Sequence, residues 1–143
     1  MWSAEYSTEI DATPDVINAF FADTARWPEW NAGTEWVELD GPFAAGTTAR
    51  MKIPGEDPLV FRLVQVSPDG FEDETPIDDA GVVVRVRHAI ERLADGRCRV
   101  VYRATVDGPN AEKLGPDIGP QVTADFPEVL AALKARAEAA PRT

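Results

Sequence analysis

Two residues of the chain, His88 and Tyr102, have side chains that general acid–base chemistry often uses. His88 is the only histidine of the sequence, and it alternates with Val84 and Val86 on one face of a predicted strand. Tyr102 lies on the apolar face of the next predicted strand, two residues after Val100. A histidine base beside a tyrosine donor could remove a proton and polarise a carbonyl group. The alternative is that both are core residues, because a lone histidine among valines is more often a hydrogen-bonded core side chain.

The composition excludes several other kinds of site. A single histidine rules out a three-histidine zinc site, and the acidic clusters at residues 72–74 and 78–79 lack the spacing and glycine of a calcium loop. The sequence has no glycine-rich phosphate loop, no Gly-x-Ser-x-Gly elbow and no Cys-x-x-Cys pair. Its one cysteine, Cys98, cannot form an internal disulfide and is interpreted as a small apolar residue. We therefore expect no metal and no cofactor.

The charge of the chain narrows the choice of partners. Fourteen Lys and Arg stand against 25 Asp and Glu, which gives a net charge of −11 and an isoelectric point near 4.4. This balance argues against nucleic acid and anionic membrane surfaces, so we expect neutral, cationic or apolar partners. No apolar run reaches a membrane span, and the first residues do not resemble a signal peptide, so we expect a cytoplasmic protein. Eleven arginines against three lysines favour a GC-rich bacterial source.

The segments that must position His88 and Tyr102 follow a regular order. Residues 2–10 alternate between apolar and polar side chains, which predicts a half-buried strand. Thr13 and Pro14 then form a helix start, and an apolar stripe predicts a short helix to about Asp23. The tryptophan-rich segment at residues 24–31 predicts one more helical turn packed by aromatic side chains, so two short helices should follow the first strand. Six further strands are predicted at residues 34–39, 47–53, 59–66, 71–75, 82–90 and 97–106.

The connections between these six strands are too short for crossover helices, so the strands should form an antiparallel sheet. After the turn at residues 107–110, helical spacing predicts one long C-terminal helix. Pro120 should lie in its first turn, whereas Pro127 should kink the helix or remove a hydrogen bond near Thr123.

The strand faces also predict where the charges lie. Alternation places Asp73 inward together with Phe71, and it places residues 72 and 74 outward. The two outward glutamates then share a face with Arg85 and Arg87, which predicts exposed cross-strand ion pairs. The alternative is that these arginines form a docking surface for another protein.

Four stretches of the sequence carry a family resemblance. They are residues 10–20 (IDATPDVINAF), 27–31 (WPEWN), 39–46 (LDGPFAAG) and 71–76 (FEDETP). With the order of elements they make the chain similar to the START-like, or SRPBCC, superfamily, in particular its polyketide cyclase/dehydrase-like branch. The resemblance implies an α+β helix-grip fold over residues 1–143 as one domain, in which a curved seven-stranded antiparallel sheet wraps around the long C-terminal helix. The iron-bearing branch needs a Rieske domain and two histidine ligands, and it is excluded.

The resemblance further implies a largely apolar cavity between sheet and helix, although the tryptophans could equally be core residues. The residues expected to contact a ligand there are Trp27, Trp30, Trp36, Met51, Phe61, Phe71, Asp73, Val84, Val86, His88, Tyr102, Val122 and Phe126. Three functions remain open. The chain could bind a small hydrophobic molecule such as a lipid, polyketide or aromatic metabolite. It could cyclise or dehydrate polyketides with His88 and Tyr102 as acid and base, or it could bind a partner protein in a co-chaperone-like role.

Overall fold

A computed structural model of the protein describes residues 1–140. Its centre is a seven-stranded antiparallel sheet in which the strands follow the order β1-β7-β6-β5-β4-β3-β2. This arrangement, with helices gripped by one face of the sheet, is the predicted helix-grip fold. The strand positions agree with the alternation pattern to within a few residues. The strands are β1 (Trp2–Ile10), β2 (Trp36–Leu39), β3 (Thr48–Lys52), β4 (Leu59–Ser67), β5 (Gly70–Ile77), β6 (Val82–Arg92) and β7 (Cys98–Asp107).

The short helices between β1 and β2 close one end of the sheet. Helix α1 (Pro14–Ala22) begins after Thr13, as predicted, and a 3₁₀ helix (Thr24–Glu29) continues from it. Ile17 and Phe21 of α1 are fully buried against the core. Proline at the first helical turn suits the helix start because its missing N–H has no intrahelical partner there.

The C-terminal helix is interrupted near Pro127, as the sequence predicts. Helix α2 (Ala111–Thr123) ends just before Ala124 and Asp125, and helix α3 (Phe126–Ala139) starts again with proline in its first turn. Pro127 cannot donate a backbone hydrogen bond to the carbonyl of Thr123, so the ladder breaks at this point.

The prediction for Pro120 is wrong. Helix α2 begins at Ala111, directly after the turn that ends β7, and Pro116 and Pro120 both lie inside it. The helix starts this early because Asn110 already accepts the first helical bond, from the Leu114 amide at 2.8 Å. Tertiary packing then holds a segment that two prolines would weaken in isolation.

Helix α2 meets β1 through two glycines that receive Trp2. A Cβ atom at Gly115 would lie 2.7 Å from the Cβ of Trp2, and a Cβ at Gly119 would overlap the indole ring. The two glycines are four residues apart and therefore lie on the same helix face. Only glycine allows the indole to approach the helix this closely.

Helix α3 is held to the beginning of the chain by polar contacts. The Nζ of Lys134 donates to the carbonyl of Glu9 at 2.7 Å, and the backbone amide of Asp11 donates to Glu138 Oε2 at 2.9 Å. Arg136 Nη1 donates to Glu29 Oε1 at 3.1 Å. The apolar side of α3 is buried, with Phe126, Val129, Leu130, Leu133 and Ala137 facing the core.

The outer face of the sheet carries cross-strand ion pairs, as the sequence predicts, but Arg87 has a different partner from the one expected. Glu74 accepts from Arg62 Nη2 at 2.8 Å and from Arg85 Nε at 3.3 Å. These hydrogen bonds lower the pKa of Glu74, with that of Arg62 contributing most. Arg87 donates to Gln65 Oε1 at 3.0 Å rather than to Glu72. Within residues 1–140, no helix is long and apolar enough to cross a membrane.

Candidate functional site

A cavity of about 340 Å³ lies between the sheet and the break in the C-terminal helix. Its wall is contributed by strands β3 to β7, by the turn after the 3₁₀ helix and by residues 121–129. The residues predicted to contact a ligand line it with a single exception, Trp36. Those brought together are Trp27, Trp30, Met51, Phe61, Phe71, Asp73, Val84, Val86, His88, Tyr102, Val122 and Phe126.

The prediction for Trp36 is wrong, because its side chain lies on the other face of the sheet. Trp36 is 37% exposed, whereas Val37 beside it is buried in the core. Successive side chains of a strand point to opposite faces, so the burial of Val37 directs Trp36 outward.

Two short turns and the helix break add residues that sequence reasoning missed. Helical periodicity cannot reveal the polar residues and the glycine among them, whereas Val129 belongs to the apolar stripe of the C-terminal helix. A signal for Asp125 was present, since an acidic residue two positions before Pro127 is typical of a helix start. These additional lining residues include Asn31, Gly33, Thr34, Gln121, Asp125 and Val129.

The rings of Phe71, His88 and Tyr102 form a row across three strands. His88 is directly opposite Phe71 on β5 and directly opposite Tyr102 on β7. The ring centroids of His88 and Tyr102 are 4.5 Å apart, at an interplanar angle of 75°. Phe126 closes the row from the helix, 5.5 Å from the ring of Tyr102. The prediction that His88 and Tyr102 are inward neighbours is therefore confirmed.

The position of this row depends on Gly70 at the start of β5. Gly70 has φ of +119°, and a Cβ there would overlap the carbonyl of His88. The backbone of β5 therefore approaches β6 more closely than a side chain would allow. The bond from the Ile90 amide to the Asp69 carbonyl, at 2.8 Å, holds the same turn in place.

His88 is a neutral imidazole at physiological pH. Burial lowers its pKa to about 3, and backbone hydrogen bonding at Phe71 and Val86 opposes that shift only in part. The side chain is 9% exposed, and its Nδ1 atom has no hydrogen-bond partner in the described part of the chain. With a pKa this low, His88 is a weak base at neutral pH.

Tyr102 is a neutral hydroxyl donor in the same wall. Burial raises the pKa of its phenol, and the carboxyl groups of Asp73 and Asp125 raise it further. A phenol held in its protonated form can donate a hydrogen bond to a carbonyl or oxyanion.

Asp73 is a cavity group with a pKa close to neutrality. Burial raises its pKa to about 7, and the charge of Glu72 acts in the same direction. Its cross-strand partner on β6 is Val86, which supplies no polar contact. A carboxyl group with this pKa exchanges protons readily near pH 7, as a general acid or base must.

Asp125 lies at the helix break, against the turn that contains Gly33. A Cβ at Gly33 would lie 2.8 Å from Asp125 Oδ2, so glycine leaves the space that the carboxyl group occupies. Asp125 precedes α3 and its backbone carbonyl accepts from the Val129 amide at 2.9 Å, but its side chain forms no capping hydrogen bond. The pKa of Asp125 is raised above its ordinary value, and burial is the largest cause of that shift.

A second depression of about 330 Å³ lies outside the cavity. Trp30, Gly33, Asp125 and Val129 line both spaces and therefore separate them. Trp30 is 5% exposed, and its Nε1 atom has no hydrogen-bond partner among residues 1–140. The neighbouring indole of Trp27 does have one, because its Nε1 donates to the carbonyl of Phe21 at 3.0 Å.

Comparison with solved structures shows the same fold at low sequence identity. Norcoclaurine synthase from Thalictrum flavum, in complex with dopamine and hydroxybenzaldehyde, matches with a TM-score of 0.76 and 16% identity, over 99% of this chain and 89% of that one. The di-domain ARO/CYC protein BexL of the BE-7585A biosynthetic pathway matches with a TM-score of 0.74 and 20% identity, over 94% and 46%. A START superfamily protein from Mycobacterium smegmatis matches with a TM-score of 0.72 and 15% identity, over 95% and 97%.

Comparison of the sequence with known proteins identifies one protein family but no individual curated relative. A search of curated protein sequences found no significant match. The family described as polyketide cyclase / dehydrase and lipid transport matches residues 1–138, which is almost the whole chain. The fold, the cavity and this match agree with one another. The chain therefore belongs to the family described as polyketide cyclase / dehydrase and lipid transport.

Proposed function

We propose that the protein binds a small hydrophobic metabolite in the cavity between its sheet and the two segments of the C-terminal helix. The observation that carries this proposal is the cavity itself, about 340 Å³ of space with a mainly aromatic and aliphatic wall. Ligand pockets typically have volumes of roughly 300–1,000 Å³ and walls of this kind. Each buried CH₂ group of a ligand contributes about 0.8 kcal/mol to such binding.

The size of the cavity supports a compact ligand. Its volume is at the small end of the usual range, which favours a ringed polyketide or aromatic metabolite over a long-chain lipid. The side chains of Trp27, Trp30 and Tyr102 line the cavity, and offset or edge-on contacts between rings would stabilise a complex with a ringed ligand. The cytoplasmic location and bacterial source expected from the sequence stay predictions.

Native mass spectrometry tests this proposal. The protein is incubated with a hydrophobic metabolite extract and scored for a stoichiometric adduct that denaturation releases. Val86→Phe fills the cavity, while Val60→Phe adds the same ring at a position that is 55% exposed and does not line it. We expect wild type and Val60→Phe to carry the adduct and Val86→Phe to lose it. An adduct retained by Val86→Phe, or no adduct at any extract concentration, contradicts binding in the cavity.

A second candidate is cyclisation or dehydration of a polyketide, and the pKa of Asp73 near 7 is the observation that favours it. In an aldol ring closure, the carboxylate of Asp73 takes the α proton of the substrate. The resulting carbanion attacks a carbonyl carbon, whose oxygen accepts a hydrogen bond from Tyr102. The alkoxide formed on that oxygen then takes the proton back from Asp73, which restores the carboxylate. BexL, whose fold is similar, is an ARO/CYC protein.

This version gives the base role to Asp73 rather than to His88, the base first proposed from the sequence. With a pKa of about 3, His88 accepts protons poorly at neutral pH, although it supports the rings on both sides. Turnover of an aromatic polyketide precursor separates the two assignments. Asp73→Asn and Tyr102→Phe should abolish turnover and retain binding, whereas His88→Gln should retain part of both. Loss of turnover in His88→Gln with full turnover in Asp73→Asn would restore the first assignment.

A further inference from the structure

The cavity wall contains two carboxyl groups and no basic side chain. Asp73 and Asp125 line the cavity, whereas none of the residues described as lining it is Lys or Arg, and its only histidine is neutral. The strands on either side of Asp73 do carry arginines, but these lie on the other face of the sheet. Arg62 and Arg85 pair there with Glu74, and Arg85 also contacts Asp107 at 3.5 Å. The two acids are thus left without a counterion from these strands.

We infer that the cavity selects small aromatic cations, in which a protonated amine lies against Asp73 and Asp125 and an aromatic body fills the space between sheet and helix. This inference rests on the proposed function and names the chemical class of the ligand. A carboxylate buried without a counterion is costly, and a cationic ligand supplies the missing charge.

The aromatic wall and the net charge of the whole chain also favour a cationic ligand. Trp27 and Trp30 line the cavity, and the face of an indole ring attracts a cation. The net charge of −11 attracts cations to the protein and repels anions before any contact forms. The raised pKa of Asp73 reflects the same uncompensated burial, and a bound ammonium group would lower that pKa.

Three probes of nearly equal size test the inference. Tyramine, tyrosol and 4-hydroxyphenylacetate share a phenol ring and chain length but carry a positive, neutral and negative head group. We expect calorimetry at pH 7.5 to show tyramine binding about ten-fold more tightly than tyrosol, since hydrogen bonds to charged groups are the stronger ones. 4-Hydroxyphenylacetate should bind more weakly than either. Asp73→Asn should reduce the affinity for tyramine towards that for tyrosol and leave tyrosol unchanged.

Asp117→Asn is the matched control, because it removes one exposed acid of α2 that does not line the cavity. It should leave the preference for tyramine intact. Equal affinity for tyramine and tyrosol, or a preference that survives in Asp73→Asn, overturns the inference while the cavity remains a binding site. If none of the three probes binds at millimolar concentration, the inference also fails. The metabolite-extract experiment with Val86→Phe then decides the proposed function separately.

Discussion

The imidazole of His88 lies face to face on the ring of Phe71, with centroids 3.9 Å apart and planes inclined by 8°. The two residues are directly opposite each other on β5 and β6, so sheet register alone brings the rings together. Tyr102 contacts the imidazole edge-on from the other side. Packing therefore fixes the orientation of His88, even though Nδ1 has no hydrogen-bond partner in the described residues.

We expect His88 to remain neutral over the whole physiological range. Burial lowers its pKa to about 3, whereas an unfolded chain takes up this proton near pH 6.5. Between those values the unfolded state binds more protons, so this group destabilises the fold progressively as the pH falls from 6.5 towards 3. His88 is the only histidine, so one set of imidazole NMR signals reports on it. These signals should not shift between pH 8 and pH 5, and a midpoint near 6.5 would contradict a buried imidazole.

Asp73→Asn should stabilise the protein at alkaline pH. The pKa of Asp73 is raised from 3.8 to about 7, so the folded state binds a proton in this interval that the unfolded state has lost. The contribution of Asp73 to stability is therefore present below pH 3.8 and falls as the pH rises through 7. Asparagine avoids burial of the charge, and at pH 8 we expect it to raise the free energy of unfolding by on the order of 2–4 kcal/mol.

Urea denaturation of wild type and Asp73→Asn at pH 4 and pH 8 measures this difference. At pH 4 the two proteins should differ by less than about 1 kcal/mol, because Asp73 is then largely protonated. The other ionisable groups that act in this region are Glu72 beside it, Tyr102, Asp125 and His88, and they are the same in both proteins. A stabilisation of equal size at both pH values would indicate an effect other than charge burial.

Gly119→Ala should destabilise the contact between α2 and β1. The new methyl group would overlap the ring of Trp2, and overpacking of this kind costs typically about 1–3 kcal/mol. Trp2→Ala removes the ring, so in that background the same substitution should be neutral or stabilising, since alanine favours helix. Thermal denaturation of the four proteins in this cycle gives the coupling energy. Additive effects of the two substitutions would mean that the glycine does not serve to receive Trp2.

The tryptophans should report ligand binding without a label. Trp27 and Trp30 line the cavity, whereas Trp36 lies on the outer face of the sheet. A bound ligand should therefore change the emission of the first two and leave Trp36 unaffected. Fluorescence titration of Trp36→Phe should retain the full change, and Trp30→Phe should lose a large part of it. The opposite pattern would place the ligand on the outer face.

Most of the architecture could be predicted because the strands show a regular alternation of apolar and polar side chains. Alternation located the strands, and it placed Asp73, His88 and Tyr102 on one face before their contacts were known. The same rule, applied to Val37 and Leu39, would have placed Trp36 outward. Asp125 was missed for a different reason, since it enters the cavity wall only where α2 and α3 separate and a turn from the other end of the sheet approaches.

Some predictions stay open. The assignment of residues 1–143 to one domain and the role of each cavity residue in binding or catalysis are not tested by the fold. The arginine docking surface is likewise untested, although Arg62 and Arg85 already form ion pairs with neighbouring strands. Residues 141–143 lie outside the described part of the chain.

The sheet order has a consequence for the synthesis of the chain. Strands β2 to β6 each pair with a neighbour in sequence, but β1 pairs only with β7, from Trp2 opposite Val106 to Ile10 opposite Cys98. Strand β1 is made before the other strands of this sheet and can pair only after β7 has followed, and Lys134 and Glu138 of α3 secure it later still. Such distant pairing slows folding and leaves the backbone and the apolar face of β1 without a partner in the meantime. A nascent chain that stalls before Cys98 should accordingly depend on chaperones to stay out of aggregates.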